Sequence, residues 1–136
     1  MGSTLGDMAT TEPRDGDVYD VFSQACPSRP TLEHITGRWG SLVLGALGRG
    51  PLRFNELRRR VEGISQKILA QTLQALERDG FVTRNLISTF PLRVEYSLTP
   101  LGQSIADRLA DLFTQIESQM PAVLAARREY DVREAD

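Results

Sequence analysis

Residues 63–98 read GISQKILAQTLQALERDGFVTRNLISTFPLRVEYSL, and this stretch decides the fold. Gly63 and Ile64 form a tight turn that leads into Ser65, a good N-cap for the helix that follows. Residues of the apolar side then recur at helical spacing, namely Ile68, Leu69, Thr72, Leu73, Ala75 and Leu76. The other side carries Gln66, Lys67, Ala70, Gln71 and Gln74. The stretch therefore predicts an amphipathic helix with a polar surface, closed by Asp79-Gly80.

A β-hairpin is predicted directly after this helix. Residues 81–87 and 93–98 are rich in β-branched and aromatic side chains, and residues 88–92 connect them. In the second strand Val94, Tyr96 and Leu98 alternate with polar residues, which is typical of a strand with one buried face. The hairpin is thus expected to pack on the core through one side only.

Three shorter elements are predicted before the helix. Thr31, after Pro30, can cap a helix that runs through Ile35, and a more apolar helix covers residues 38–47. Gly48 and Gly50-Pro51 end that second helix, and residues 52–54 form a short extended segment. Asn55 is then expected to cap a third helix over residues 56–61.

A long helix is predicted after the hairpin. Thr99 and Pro100 supply its cap and first residue. One apolar stripe follows, formed by Leu101, Ile105, Leu109, Leu112, Ile116 and Met120. The stripe is long for one small domain to cover, so a contact between two subunits is a better interpretation than intrachain core. Pro121 is expected to kink or end the helix.

This order of elements predicts a mainly α fold with a small β-hairpin wing (α+β), a winged helix-turn-helix. In such a protein the second helix of the motif enters the major groove, and the wing lies over the neighbouring backbone or minor groove. The domain is expected to cover residues 21–126, with a flexible arm over 1–20 and a polar tail over 127–136. The candidate DNA contacts are Ser65, Gln66, Lys67, Gln71, Gln74, Arg58, Arg59, Arg60 and Arg93.

Composition limits the alternatives. The chain's 136 residues suit one domain, and no run approaches the roughly 18 apolar residues of a membrane span. The polar start resembles neither a secretory signal nor a transit peptide, so the cytoplasm is expected. The net charge is −2, yet residues 37–98 hold ten basic and five acidic side chains. A basic middle within an acidic periphery indicates a polyanionic partner for the middle, here double-stranded DNA.

Beyond these patterns, a set of spaced motifs resembles the HxlR-type regulators, a family of the MarR-like superfamily. The matching positions are Cys26-Pro27, Thr31-Leu32, Ile35, Gly37-Arg38-Trp39, Gly50-Pro51, residues 53–57, residues 63–65, Leu73, Leu76-Glu77, Gly80, residues 93–99 and Leu101-Gly102. The resemblance covers about residues 26–120. It departs in the wing, where the family tends to have a Tyr-Pro and a Pro-Pro pair. This chain has Ile87-Ser88 and Pro91-Leu92 instead.

The resemblance implies a homodimer on a palindromic operator, most often a repressor, held by the N-terminal segment and the C-terminal helix. The candidate dimer residues are Val21, Phe22, Ile105, Leu109, Leu112, Phe113, Ile116 and Met120. It further implies that Cys26, a cysteine before a proline, serves as an oxidant or electrophile sensor, as in several family members.

Cys26 is the chain's one cysteine, which excludes an internal disulfide. A helix N-terminus and the nearby Arg29 are expected to favour its thiolate. A buried cysteine that acts as a small hydrophobe near the dimer interface is the alternative.

Two other classes of protein fit less well. A thiol-dependent enzyme would need a base, and His34 is the one imidazole; no zinc cluster and no glycine-rich phosphate loop accompany it. The sequence therefore predicts no metal, no cofactor and no catalysis. A winged helix used as a protein adaptor without DNA binding is disfavoured by the basic residues around the predicted recognition helix.

Overall fold

A computed structural model describes residues 18–135 of the chain. Within that range the elements are α1 (Ser28–Thr36), α2 (Gly40–Leu47), β1 (Leu52–Arg53), α3 (Phe54–Arg60), α4 (Gln66–Arg78), β2 (Val82–Thr89), β3 (Leu92–Leu98) and α5 (Pro100–Ala135). The predicted α+β winged helix-turn-helix is confirmed. Most of the predicted N-terminal arm, residues 1–17, lies outside the described residues.

The core lies beneath α4. Its fully buried large side chains are Leu44, Leu47, Leu57, Leu69, Leu73, Leu76, Val43 and Val82. Three of them, Leu69, Leu73 and Leu76, form the predicted apolar side of α4. Burying each leucine contributes about 1.5–3 kcal/mol, so this stripe fixes which side of α4 faces solvent.

Two predicted helix starts are confirmed with their hydrogen bonds. The Ser65 hydroxyl accepts from the Ile68 N–H at 3.1 Å at the start of α4. The Thr99 hydroxyl accepts from the Gly102 N–H at 3.1 Å and donates to the Gly80 carbonyl. Gly80 has φ +85°, a conformation that favours glycine. One threonine therefore joins the end of α4 to the start of α5.

Two other predicted starts are wrong. Helix α3 begins at Phe54 with Arg53 as N-cap, not Asn55, because Arg53 ends β1 and its N–H donates to the Glu56 carboxylate at 2.7 Å. Helix α1 begins at Ser28, so Thr31 lies inside it. Pro30 is tolerated there because N–H groups of the first helical turn have no intrahelical acceptor.

The wing is the hairpin of β2 and β3, and β1 joins it in the antiparallel sheet order β1-β3-β2. The strands are longer than predicted and enclose a turn at Phe90-Pro91, whose peptide bond is cis. An irregularity between Leu86 and Ser88 leaves Ile87 without a partner in the ladder. The core-facing side of the wing includes Val82, Tyr96 and Leu98.

Helix α5 runs for 36 residues, a length of about 54 Å at about 1.5 Å per residue. It continues through Pro121 to Ala135, so of the two expected effects of Pro121, a kink or an end, the end is wrong, and residues 127–135 are helical. Its buried residues, Gly102, Ala106 and Leu109, all lie in its first third. None of the helices in residues 18–135 combines the length and apolar character that crossing a membrane requires.

Candidate nucleic-acid interface

The polar side of α4 forms an exposed surface of amides and one cation. Gln66, Lys67, Gln71 and Gln74 are all exposed, while the leucines on the opposite side anchor the helix in the core. No carboxylate occurs in residues 66–76. Side chains of this kind recognise base edges: an amide pairs with adenine, and a lysine pairs with guanine or a phosphate.

Ser65 is exposed at the start of the same helix, but its hydroxyl oxygen is engaged by the Ile68 N–H. The four N–H groups of the first helical turn include donors without an intrahelical acceptor, and such a terminus favours a phosphate. Ser65 therefore orients the start of α4 beside the candidate interface.

The three consecutive arginines of α3 do not share one surface. Arg58 and Arg59 border a cleft together with Asn55, Glu62, Gly63 and Ile64, beside the turn that leads into α4. Arg60 borders a second cleft, which shares Glu62 with the first and whose further walls include Leu42, Phe113, Ile116 and Glu117. Successive residues of a helix point about 100° apart, and the packing of α3 against its neighbours decides which cleft each of them borders.

On the wing, Arg93 pairs with Ser88 just behind the turn and is exposed, as is Arg84 on β2. Across residues 18–135 the only ion pair joins His34 to Asp79. Lys67, Arg58, Arg59, Arg84 and Arg93 therefore have no carboxylate partner within the described chain. Exposed unpaired cations around a recognition helix are suited to phosphates.

The contact between His34 and Asp79 has no counterpart among the sequence predictions. Nδ1 of His34 lies 2.6 Å from Oδ2 of Asp79, the C-cap residue of α4. The contact ties α1 to the end of the recognition helix. No sequence signal could have found it, because the two residues are 45 positions apart and belong to different elements.

The Cys26 thiol lies in residues 18–32 and is partly exposed. The Ser28 hydroxyl donates to its sulfur at 3.1 Å, and the Asp20 N–H lies 3.5 Å from it. These hydrogen bonds, the one from Ser28 first, hold the pKa of Cys26 below its ordinary value.

The cause differs from the prediction, which assigned the stabilisation of the thiolate to a helix N-terminus and to Arg29. The guanidinium of Arg29 instead donates to the carbonyls of Val21 and Phe22, at 2.8 and 2.9 Å. Backbone carbonyls in a turn attract the planar guanidinium and hold it there. Arg29 therefore braces the turn before α1.

Replacing Ser28 by alanine is expected to slow alkylation of Cys26 at neutral pH. Without the hydroxyl the pKa of Cys26 rises, so a smaller fraction of the thiol is in the reactive thiolate form. The rate with iodoacetamide, measured against pH, should show a midpoint at higher pH. Ser23→Ala is the matched control, since its hydroxyl is not a partner of the thiol in residues 18–32. An unchanged midpoint in Ser28→Ala would contradict this role of Ser28.

The predicted dimer residues fall into two groups. Leu109 is buried, and Ile105 and Phe113 pack against the chain's own core, with the Phe113 ring over Gly45. Leu112 and Ile116 are exposed, at 51% and 47%, and Met120 is partly exposed. Val21 and Phe22 are exposed as well, Phe22 at 88%. The stripe of α5 thus reaches the intrachain core at Ile105 and Leu109, whereas Leu101 before them and Leu112 and Ile116 after them are exposed.

No cluster of three or more metal-binding side chains occurs in the part of the chain that the structure describes. His34, the imidazole on which base catalysis would depend, contacts Asp79 at the end of α4.

Comparison with known proteins agrees with this geometry. The HxlR-like helix-turn-helix family matches residues 34–123. YtfH of Escherichia coli, an HTH-type transcriptional regulator, is 51% identical over 110 residues, which are 81% of this chain and 87% of YtfH.

Solved structures are similar too. The putative transcriptional regulator ytfH from Salmonella typhimurium superposes with a TM-score of 0.76 at 50% identity, covering 82% of this chain and 99% of that one. The redox regulator HypR in its reduced form gives a TM-score of 0.65 at 33% identity, covering 73% and 98%. These relatives are transcriptional regulators, a class that binds DNA and does not catalyse a reaction. The chain belongs to the HxlR family of helix-turn-helix transcriptional regulators.

Proposed function

We propose that this regulator acts as a homodimer that represses transcription from a palindromic operator and is controlled by modification of Cys26. The observation that carries the proposal is the exposed side of α4, where Gln66, Lys67, Gln71 and Gln74 stand on a helix fixed by buried leucines. In a dimer two such helices reach successive major grooves about 34 Å apart. The operator is then two inverted half-sites, one helical turn or a multiple of it apart.

The uncovered apolar residues support the homodimer. Leu112 and Ile116 on α5 are about half exposed, and Leu124 follows them at 43%. A helix that continues for several turns beyond its own core, with apolar side chains still repeating, is suited to packing against its symmetry mate. Val21 and Phe22, both exposed, are proposed to contribute to a contact between subunits as well.

Control through Cys26 is supported by its lowered pKa and partial exposure, since thiolates react with oxidants and electrophiles. HypR, a structural neighbour of the chain, is known as a redox regulator in reduced and oxidised forms. With one thiol per subunit, oxidation joins two subunits, adds a small thiol or forms a sulfenic acid. Any of these changes is proposed to alter the spacing of the two recognition helices.

Selection of genomic DNA fragments by the purified protein tests the proposal, with Cys26 reduced in one sample and mildly oxidised in the other. Enrichment of an inverted repeat in the reduced sample alone supports a redox-controlled regulator. Equal enrichment in both samples would contradict regulation through Cys26. The Cys26→Ser variant serves as the control, because its enrichment should not change with the oxidant. No enrichment in either would contradict operator binding and favour a protein adaptor.

Gln66 and Lys67 are expected to differ in what they contribute. Lys67→Ala should weaken binding to the operator and to random duplex alike, because a lysine contributes to phosphate attraction regardless of sequence. Gln66→Ala should lower the discrimination between bases at one position of each half-site by about 1–3 kcal/mol. Its affinity for random duplex should stay the same. Titration of operator, single-base variants and random duplex measures both effects. Equal losses on operator and random duplex for both variants would contradict the assignment of Gln66.

A further inference from the structure

The tip of the wing exposes an apolar cluster that the interface described above does not use. Phe90 is 96% exposed, Leu92 is 72% exposed and Ile87 is 52% exposed, and Pro91 lies between them on the surface. A lone apolar side chain on a protein surface is common, but several at one tip indicate a contact surface. This wing tip, residues 87–92, has no partner within the described chain that covers it.

Its electrostatic surroundings are positive. Residues 80–94 contain no aspartate or glutamate, and their two charged side chains are Arg84 and Arg93. Both are exposed, and neither takes part in an ion pair in the part of the chain described. An apolar tip with Arg93 just behind it and Arg84 further down the hairpin is complementary to a surface that offers phosphates beside an apolar interior. Duplex DNA is such a surface.

Hydrogen bonds hold the tip in one shape. The Ser88 hydroxyl donates to the Pro91 carbonyl at 2.8 Å and closes the turn around Phe90. Nearer the core, the Ser97 hydroxyl lies 2.9 Å from both the Thr83 hydroxyl and the Asn85 amide nitrogen. These contacts join β2 to β3 across the wing. Phe90 is therefore presented by an ordered support, which reduces the entropy lost on binding.

We propose that Phe90 is a wedge that enters the minor groove of the operator beside each half-site and partly unstacks one base step, with Arg84 and Arg93 on the flanking phosphates. Phenylalanine, leucine, isoleucine and proline are the side chains that kink duplexes in this manner, and the tip carries one of each. This inference rests on the proposed function and extends it, because operator binding then includes a bend. Sequence preference follows at positions outside the recognition helix, since pyrimidine–purine steps unstack most easily.

A protein contact is the competing use of an exposed phenylalanine. The charges favour DNA, since residues 80–94 carry two arginines and no carboxylate, and the wing's one acidic residue, Glu95, lies further from the tip, opposite Asn85 in the ladder. The position favours it too, because the wing follows the recognition helix directly and shares the core with it through Val82. Bringing α4 to the major groove therefore brings the wing to the same duplex.

The test uses the full-length protein and the duplex recovered by the genomic selection. Phe90→Ala is compared with Phe90→Leu, which retains a wedge, and with Leu101→Ala, a matched exposed apolar residue outside the wing at 62% exposure. Affinity is measured by fluorescence anisotropy and bending by energy transfer between dyes on the duplex ends. 2-Aminopurine, placed in turn at each position beside a half-site, reports unstacking by brighter fluorescence. Thermal unfolding checks that all variants are folded, which the exposure of Phe90 leads us to expect.

We expect Phe90→Ala to bind the operator about tenfold more weakly, as is typical when one aromatic contact to a base is removed. It should also lose the 2-aminopurine signal and most of the bend, about 20° or more in the wild type. Phe90→Leu should keep most of both, and Leu101→Ala should match the wild type.

Unchanged affinity, bend and 2-aminopurine signal in Phe90→Ala would overturn the wedge. A loss of self-association in that variant, with DNA bending retained, would assign the tip to a protein contact instead. If the wild type binds no duplex at all, the proposed function fails first, and the wedge fails with it. If the wild type binds and only the Phe90 effects are missing, the proposed function stands without the wedge.

Discussion

Replacing Arg58 and Arg59 together by alanine is expected to weaken binding to any duplex by about 100-fold at physiological salt, because phosphate contacts dominate the affinity. Both arginines border the cleft beside the turn into α4 and have no carboxylate partner in residues 18–135. In the proposed homodimer the two protomers lose four cations in total. The slope of log affinity against log salt should therefore become shallower by about 3.6, or about 0.9 per lost phosphate contact.

Arg60→Ala is the matched control for this prediction. It removes the same kind of side chain from the same helix, but Arg60 borders the other cleft, beside Ile116 and Glu117. Anisotropy titrations on operator and random duplex over a range of salt give affinity and slope together. Arg60→Ala should leave the salt slope close to that of the wild type. If it changes the slope by as much as each arginine of the double variant does, the division of the three arginines between two surfaces is contradicted.

Replacing Gly102 by alanine is expected to lower the free energy of unfolding by about 3 kcal/mol, at the upper end of the range for overpacked cores. Gly102 is buried in the first turn of α5, where a Cβ would overlap the backbone carbonyl of Phe81 and approach the Leu98 side chain. The obstacle is backbone, which cannot rotate away as the end of a side chain can. The start of α5 would have to shift from the hairpin.

Chemical denaturation monitored by circular dichroism measures this effect. Ser104→Ala is the control, because Ser104 is exposed two residues further along the same helix and its hydroxyl bonds only to the Leu101 carbonyl. Surface changes of this kind stay within about 0.5 kcal/mol. A Gly102→Ala variant as stable as Ser104→Ala would show that α5 packs against the hairpin less closely than the structure indicates.

The recognition helix was predictable because its signals are local. A cap such as Ser65 acts on an N–H three residues away, and an apolar repeat such as Leu69, Leu73 and Leu76 spans two turns. The Thr99-Pro100 start of α5 is local in the same sense. The polar side of α4 followed from the same repeat, and its proposed contacts with bases stay a prediction.

Predictions that needed the surroundings of a residue were less successful. The start of α3 depends on where the pairing of β1 with β3 ends. Because that pairing ends at Arg53, Arg53 and not Asn55 is the N-cap. Arg29 is close to Cys26 in the chain, yet two carbonyls attract its guanidinium and leave Ser28 to stabilise the thiolate. Proximity in sequence does not set which of several partners a long side chain reaches.

The sequence by itself determined the order of the elements, the buried side of α4 and the basic character of the middle of the chain. These properties follow from periodicity, caps and composition, which act over a few residues. The tertiary structure alone decided that Arg60 borders a different cleft from Arg58 and Arg59 and that His34 contacts Asp79. It also decided how much of the α5 stripe the core covers. It decided them because the rotation of one helix against another is set by the packing of residues far apart in the chain.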